Sequence, residues 1–82
     1  MTDYRYDTQL LIEGCRVDRD QLIELIEKTK GDSLLVVGDE ELMKVHYHTN
    51  QPWETLKTCA GTGEIFDIVV EDMIRQANGQ QG

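Results

Sequence analysis

Two histidines, His46 and His48, stand two residues apart in the sequence. Side chains at positions i and i+2 of a strand point to the same face of a sheet, and neutral imidazole is the commonest transition-metal ligand in proteins. The spacing therefore predicts two nitrogen ligands, provided that the segment is a strand and a third ligand lies nearby. The same spacing also occurs on exposed strand faces with no role beyond solubility, so spacing alone leaves both interpretations open.

The segment that carries the histidines alternates between apolar and polar residues from Leu42 to Thr49, which predicts a strand with His46 and His48 on its polar face. An earlier segment, Tyr4 to Glu13, alternates in the same way and breaks only at Leu11. It is also predicted to be a strand with one face in the core, and Asp7 lies on its other face.

A helix is predicted between these strands. Asp18 is expected to cap its first turn together with Gln21, and the apolar periodicity continues to about Lys30. Gly31 then stands where a left-handed residue commonly ends a helix.

The other elements complete the order β-α-β-β-α-β: a strand over Ser33 to Gly38, a helix beginning at Pro52, and a last strand over Ile65 to Glu71. This order predicts an α+β fold, a ferredoxin-like split βαβ sandwich with a four-stranded antiparallel sheet and two helices on one face. We expect one domain over residues 1–75 and a disordered polar tail over residues 76–82.

In this topology the first and third strands are antiparallel neighbours, so Asp7 should lie beside His46 and His48 on the uncovered sheet face. Two nitrogens and one carboxylate oxygen suit zinc with an open position or, less often, a two-histidine, one-carboxylate iron. Such a site would suit a small metal-dependent hydrolase or lyase, in which a metal-bound water attacks the substrate and Glu13 or Glu71 acts as the base. A flat sheet, however, offers little of the concave pocket that catalysis requires.

Composition narrows the possible functions. The 82 residues include 16 acidic and 8 basic ones, for a net charge of -8, so we expect neither nucleic acid nor an anionic membrane as a partner. The glycine-containing turns lack phosphate-loop spacing, which argues against a nucleotide site on this domain. Cys15 and Cys59 have no C-x-x-C spacing, and the N-terminus does not resemble a signal peptide, so we expect reduced thiols and a cytoplasmic protein.

Three blocks of the sequence strongly resemble the middle domain of bacterial fatty acid kinase, the ATP-binding subunit of a family related to dihydroxyacetone kinase. The resemblance extends from about Tyr4 to Gln76. The blocks are Tyr6-Asp7-Thr8-Gln9, then Gly31-Asp32-Ser33 with the apolar run to Gly38-Asp39, then Lys44-Val45-His46-Tyr47-His48-Thr49-Asn50-Gln51-Pro52.

This resemblance implies a module of a larger kinase, in which a separate N-terminal domain binds ATP and a DegV-like fatty-acid-binding protein presents the acyl group. It also implies a zinc ion held by the two histidines and by a cysteine in the first block. The histidines match His46 and His48, whereas Asp7 occupies the cysteine position and Gln9 the position of a glutamate. Because aspartate is a harder and weaker zinc ligand than thiolate, the resemblance leaves open whether the metal is retained.

The sequence therefore predicts a non-catalytic interaction or scaffold module with a candidate zinc site at Asp7, His46 and His48. Its expected partners are a DegV-like acyl-carrying protein, the kinase domain of a parent chain, or a second copy of itself. The alternative is the small metal-dependent hydrolase.

Overall fold

The structure is a computed structural model that describes residues 3–82. Its elements are β1 Tyr6–Glu13, α1 Arg19–Ile26, β2 Gly31–Gly38, β3 Leu42–Thr49, α2 Pro52–Ala60, β4 Glu64–Asp72 and α3 Met73–Ala77. None of the helices within this range is long and apolar enough to cross a membrane.

The four strands form one sheet in the order β2-β3-β1-β4, and every pair of neighbours is antiparallel. The register between β1 and β3 is unbroken, from Tyr6 opposite Thr49 to Glu13 opposite Leu42. Helices α1 and α2 pack against the sheet and against each other. The predicted ferredoxin-like α+β fold is confirmed, with one further short helix at the C-terminal end.

The core lies between the sheet and these two helices. Leu10 and Ile12 of β1 and Met43 and Val45 of β3 are buried, as alternation in the sequence predicts. From the helix side the core is closed by buried apolar side chains, among them Leu22, Ile26 and Cys59. The residues between the buried ones on β1 and β3 face the opposite side of the sheet, which α1 and α2 leave uncovered.

The start of α1 is as predicted, but its end is earlier. Asp18 Oδ1 accepts from the Gln21 amide at 2.8 Å, and Gln21 Oε1 accepts from the Asp18 amide at 3.1 Å, so each residue satisfies a free amide of the other. The helix ends at Ile26 rather than near Lys30. Beyond it, side chains of β3 bind two carbonyls of the connection: Tyr47 Oη donates to Thr29 O at 2.6 Å, and Thr49 Oγ1 donates to Lys30 O at 2.8 Å.

The prediction that Gly31 ends a helix in the left-handed region is wrong. Gly31 is the first residue of β2 and pairs with Thr49, and its φ does not lie in the left-handed region. A Cβ at this position would overlap the His48 carbonyl oxygen and the buried Tyr47 ring. Glycine is therefore required here by the close approach of β3.

Both edge strands contain a bulge. In β2, Asp32 pairs with His48 and Leu35 with His46, so two residues of β2 stand opposite one residue of β3. Ser33 adopts a φ of 57° at this bulge. In β4 the register shifts in the same manner, and Asp67 has a φ of 50°. Each bulge therefore contains one non-glycine residue in the left-handed region, a conformation that polar side chains tolerate better than bulky ones.

The C-terminal helix α3 was not predicted. Asp72 caps it by accepting from the amides of Ile74 and Arg75, both at 3.1 Å, and also binds Arg5 Nη2 at 2.8 Å. The helix continues to Ala77, two residues into the segment assigned to the tail. Disorder over residues 76–82 stays a prediction.

Candidate metal centre

Four polar side chains lie in one row across the uncovered face of the sheet. The register places Asp32 of β2 opposite His48 of β3, His48 opposite Asp7 of β1, and Asp7 opposite Glu71 of β4. His46 lies one row further along β3, on the same face. Strand pairing alone therefore brings together residues that are distant in sequence.

The three predicted ligands converge in the structure. Asp7 Oδ1 lies 3.1 Å from His46 Nε2 and 3.8 Å from His48 Nε2. The side chains are 21% exposed for Asp7, 26% for His46 and 22% for His48, so the group is partly shielded and still accessible from solvent. The predicted proximity of Asp7 to both histidines is confirmed.

The arrangement fits a small metal ion. One ligand atom from each of Asp7, His46 and His48 can be chosen so that all three lie within 4.8 Å of one another. Ligands on a tetrahedral zinc ion are about 3.4 Å apart, given metal–ligand distances of about 2.1 Å. The carboxylate and His46 are already close to this spacing, and a side-chain shift of up to about 1.4 Å would bring in the widest pair.

Further contacts of the same residues are polar. Gln9 Nε2 lies 3.4 Å from both carboxylate oxygens of Asp7. His46 Nδ1 lies 3.0 Å from the carbonyl oxygen of Ser33, and His48 Nδ1 lies 3.7 Å from Asp32 Oδ1. The sequence reasoning missed Asp32 and Ser33 as neighbours of the histidines, although both lie within the Gly31-Asp32-Ser33 block.

Of the two carboxylates considered as bases, only Glu71 is near the centre. It lies opposite Asp7, and its Oε2 accepts from Gln76 Nε2 at 3.0 Å. Glu13 is six residues from Asp7 along β1, a distance of about 20 Å at the rise of a strand. The structure thus separates Glu13 from the candidate centre.

Exposed apolar side chains flank the polar centre on both edge strands. On β2, Leu35 is 54% exposed and Val37 is 44% exposed, and on β4, Val69 is 45% exposed and Phe66 is 38% exposed. A shallow cleft of about 220 Å³ lies over β1, β3 and β4, lined in part by Gln9, Leu11, Lys44, Val69 and Asp67. We call the side of the sheet that carries these residues and the candidate ligands the open face.

The cysteines belong to the opposite side of the sheet. Both are buried, and Cys59 is fully inaccessible in the core. Burial raises the pKa of the Cys59 thiol to about 12, so the thiol is protonated at neutral pH. Neither cysteine belongs to the Asp7, His46, His48 group.

Together, the fold and this group of side chains define a small α+β domain with a potential metal site on an uncovered sheet face. The model of the FakA-like family of fatty acid kinase middle domains matches residues 3–80, and the chain belongs to this family. The expected resemblance is thereby confirmed.

Similar proteins from staphylococci are much longer. An uncharacterized protein of Staphylococcus haemolyticus is 34% identical over 76 residues, which cover 89% of this chain and 14% of that protein. Uncharacterized proteins of Staphylococcus saprophyticus and of Staphylococcus aureus strain USA300 are each 46% identical over 46 residues, 56% of this chain and 8% of theirs. The chain thus spans about one seventh or less of the length of these relatives.

Proposed function

We propose that this domain is a non-catalytic association module that uses its open face to bind a protein partner, with a zinc ion at Asp7, His46 and His48 ordering the centre of that face. The partner is a DegV-like acyl-carrying protein, the kinase domain of a parent chain or a second copy of the domain. The family membership supports a role within a larger kinase-subunit protein.

The observation that carries this proposal is the composition of the open face. Exposed apolar side chains lie on both outer strands beside the polar centre, with Leu35 and Val37 on one edge and Phe66 and Val69 on the other. Exposed apolar side chains next to polar ones are typical of protein interaction sites. The polar residues between them supply directional contacts, which decide specificity more than affinity.

The zinc ion is supported by the chemistry of the ligands. Two imidazole nitrogens and one carboxylate are a common three-ligand set, and they leave a fourth position for a water or a partner's side chain. In this chain Asp7 takes the place of the cysteine expected from the family resemblance. A carboxylate keeps the site anionic while it lowers the affinity for a soft metal.

The zinc ion is tested by titrating the metal-free chain with ZnCl2 in a calorimeter and by elemental analysis after dialysis. We expect one zinc per chain and a melting temperature that EDTA lowers. His48→Ala should abolish both effects. A wild-type chain that binds no zinc and is indifferent to EDTA would show that the histidines form a solvated polar face.

The association is tested with two apolar-to-acidic substitutions on opposite sides of the domain. Leu35→Asp places a charge on the open face, whereas Trp53→Asp does so on α2, where Trp53 is 59% exposed. We expect Leu35→Asp, but not Trp53→Asp, to weaken binding to a DegV-like protein in calorimetry, or self-association in light scattering at micromolar concentration. The proposal is contradicted if the wild-type protein neither binds a DegV-like protein nor self-associates. It is also contradicted if both variants lose the association equally.

The same experiments bear on the hydrolase alternative. The cleft of about 220 Å³ is smaller than the pockets of roughly 300–1,000 Å³ in which small molecules usually bind. Zinc-dependent cleavage of an activated ester, abolished by His46→Ala, would favour an enzyme over an association module.

A further inference from the structure

The bulge in β2 lies against both histidines of the candidate centre. His46 Nδ1 is 3.0 Å from Ser33 O, and His48 Nδ1 is 3.7 Å from Asp32 Oδ1. The two oxygens belong to consecutive residues of one strand. Each histidine thus turns Nδ1 toward β2 and Nε2 toward Asp7 on β1.

The bulge makes this arrangement possible. With Ser33 at a φ of 57°, the chain of β2 departs from regular pairing between Asp32 and Leu35. A bulge re-aims the groups of the residues around it, and here the Ser33 carbonyl meets a side chain on the open face. In a regular strand, carbonyl groups lie close to the plane of the sheet and bind the neighbouring strand.

The hydrogen-bond partner fixes the protonation of the His46 ring. A carbonyl oxygen only accepts, so the contact with Ser33 requires a proton on Nδ1 of His46. Nε2 is the atom that faces Asp7. With the proton held on Nδ1, Nε2 is the nitrogen that would donate its lone pair to a metal ion bound at Asp7.

Asp32 is suited to the same role for His48. Its carboxylate accepts from Ser33 Oγ at 3.3 Å, and its side chain is 53% exposed, so no packed neighbour confines it. The gap of 3.7 Å to His48 Nδ1 exceeds a hydrogen bond by about 0.5 Å. A small rotation of either side chain closes it.

We infer that the β2 bulge orients the metal ligands: the Ser33 carbonyl and the Asp32 carboxylate hold His46 and His48 with Nδ1 protonated and both Nε2 atoms directed to Asp7. Partners of this kind commonly fix the tautomer and orientation of metal-binding histidines. The inference rests on the proposed zinc site for its consequence, but the orientation of the rings can be measured without metal. Asp32 is thus a positioning residue.

The first test is nuclear magnetic resonance on the metal-free chain with ¹⁵N-labelled histidine. Two-bond ¹H–¹⁵N correlations report whether each ring nitrogen carries a proton. We expect a proton on Nδ1 of both rings, and its loss from Nδ1 of His48 in Asp32→Ala. A His46 ring without a proton on Nδ1 in the wild type would overturn the inference.

The second test is zinc affinity with a matched control. Asp32 and Glu71 lie at opposite ends of the same row, so Asp32→Ala and Glu71→Ala remove the same charge beside the centre. We expect Asp32→Ala to weaken zinc binding by about 10- to 100-fold. Glu71 binds Gln76 rather than a histidine. Glu71→Ala should therefore change the zinc affinity by less than about threefold, the effect of a screened surface charge.

Equal losses in the two variants would show a general charge effect and overturn the role of Asp32. If the wild type binds no zinc, the proposed metal site is wrong, but the protonation of Nδ1 in the metal-free rings still decides whether the bulge orients them. The two failures are therefore distinguishable.

Discussion

Replacing Gly31 by asparagine tests whether close packing or backbone conformation requires glycine at the start of β2. Asparagine is, after glycine, among the residues that best tolerate the left-handed region. It would therefore be accepted if Gly31 ended a helix in that conformation. In the structure a Cβ at Gly31 overlaps the His48 carbonyl oxygen and lies 2.7 Å from Tyr47 Cε2.

The cost follows from what would have to move. The Tyr47 side chain is 3% exposed and its hydroxyl is bound to Thr29 O, while the other neighbour is backbone of β3, so neither yields easily. Overpacking of this kind costs about 1–3 kcal/mol, and we expect the upper end, about 3 kcal/mol. For a domain of this size, that lowers the melting temperature by about 12–24 °C.

Gly14 provides the matched control. Its φ is 65°, and a Cβ there would meet no atom of the described residues within 4 Å. Gly14→Asn should therefore cost less than about 1 kcal/mol, because the left-handed conformation is the sole demand. The assay is thermal unfolding followed by circular dichroism, with urea unfolding to convert the shift into free energy. A Gly31→Asn chain that melts within about 4 °C of Gly14→Asn would refute the packing explanation.

Three further outcomes are expected. Asp7→Cys should tighten zinc binding in calorimetry, because thiolate is a softer ligand; an unchanged affinity would mean that residue 7 does not bind the metal. The hydrogen bond from Arg5 lowers the pKa of Asp72. The ionised Asp72 therefore stabilises the folded state above pH ~4, and this stabilisation is lost as the pH falls through the pKa of Asp72 in the folded chain. Arg5→Met should flatten acid unfolding in that range, and a profile parallel to wild type would contradict this. Cys59, fully buried with a pKa raised to about 12 by burial, should react with a thiol reagent at pH 8 at a rate that rises with urea; rapid labelling without urea would exclude its burial.

The proximity of Asp7 to the histidines could be predicted because it depends on two strong regularities. Alternation fixes which side chains of β1 and β3 share a face, and the order of elements makes these strands antiparallel neighbours. The unbroken register of β1 with β3 then places Asp7 directly opposite His48. No knowledge of loop conformation was needed.

The contribution of β2 could not be predicted, because it depends on departures from regularity. Local sequence favoured Gly31 as the end of a helix, but pairing with Thr49 drew it into the sheet. The bulge at Ser33 has no strong sequence signal, since serine is not a residue that demands a positive φ. The exact partners of the histidines on β2 follow from that bulge.

Helix α3 was missed for a different reason. It has five residues, too few for a periodic pattern, and the glutamines and glycines that follow it suggest a tail. Its one local signal is Asp72, which caps the helix and binds Arg5 from the other end of the chain. The second of these contacts is tertiary and is not visible in sequence.

The bulges at Ser33 and Asp67 lie on β2 and β4, the two outer strands of the sheet. An interrupted outer strand presents an irregular row of amides and carbonyls, so an incoming strand cannot pair along its full length. The sheet is thereby discouraged from growing sideways into fibrils. Any association through this sheet would then depend on side chains, which single substitutions can alter without rebuilding the backbone.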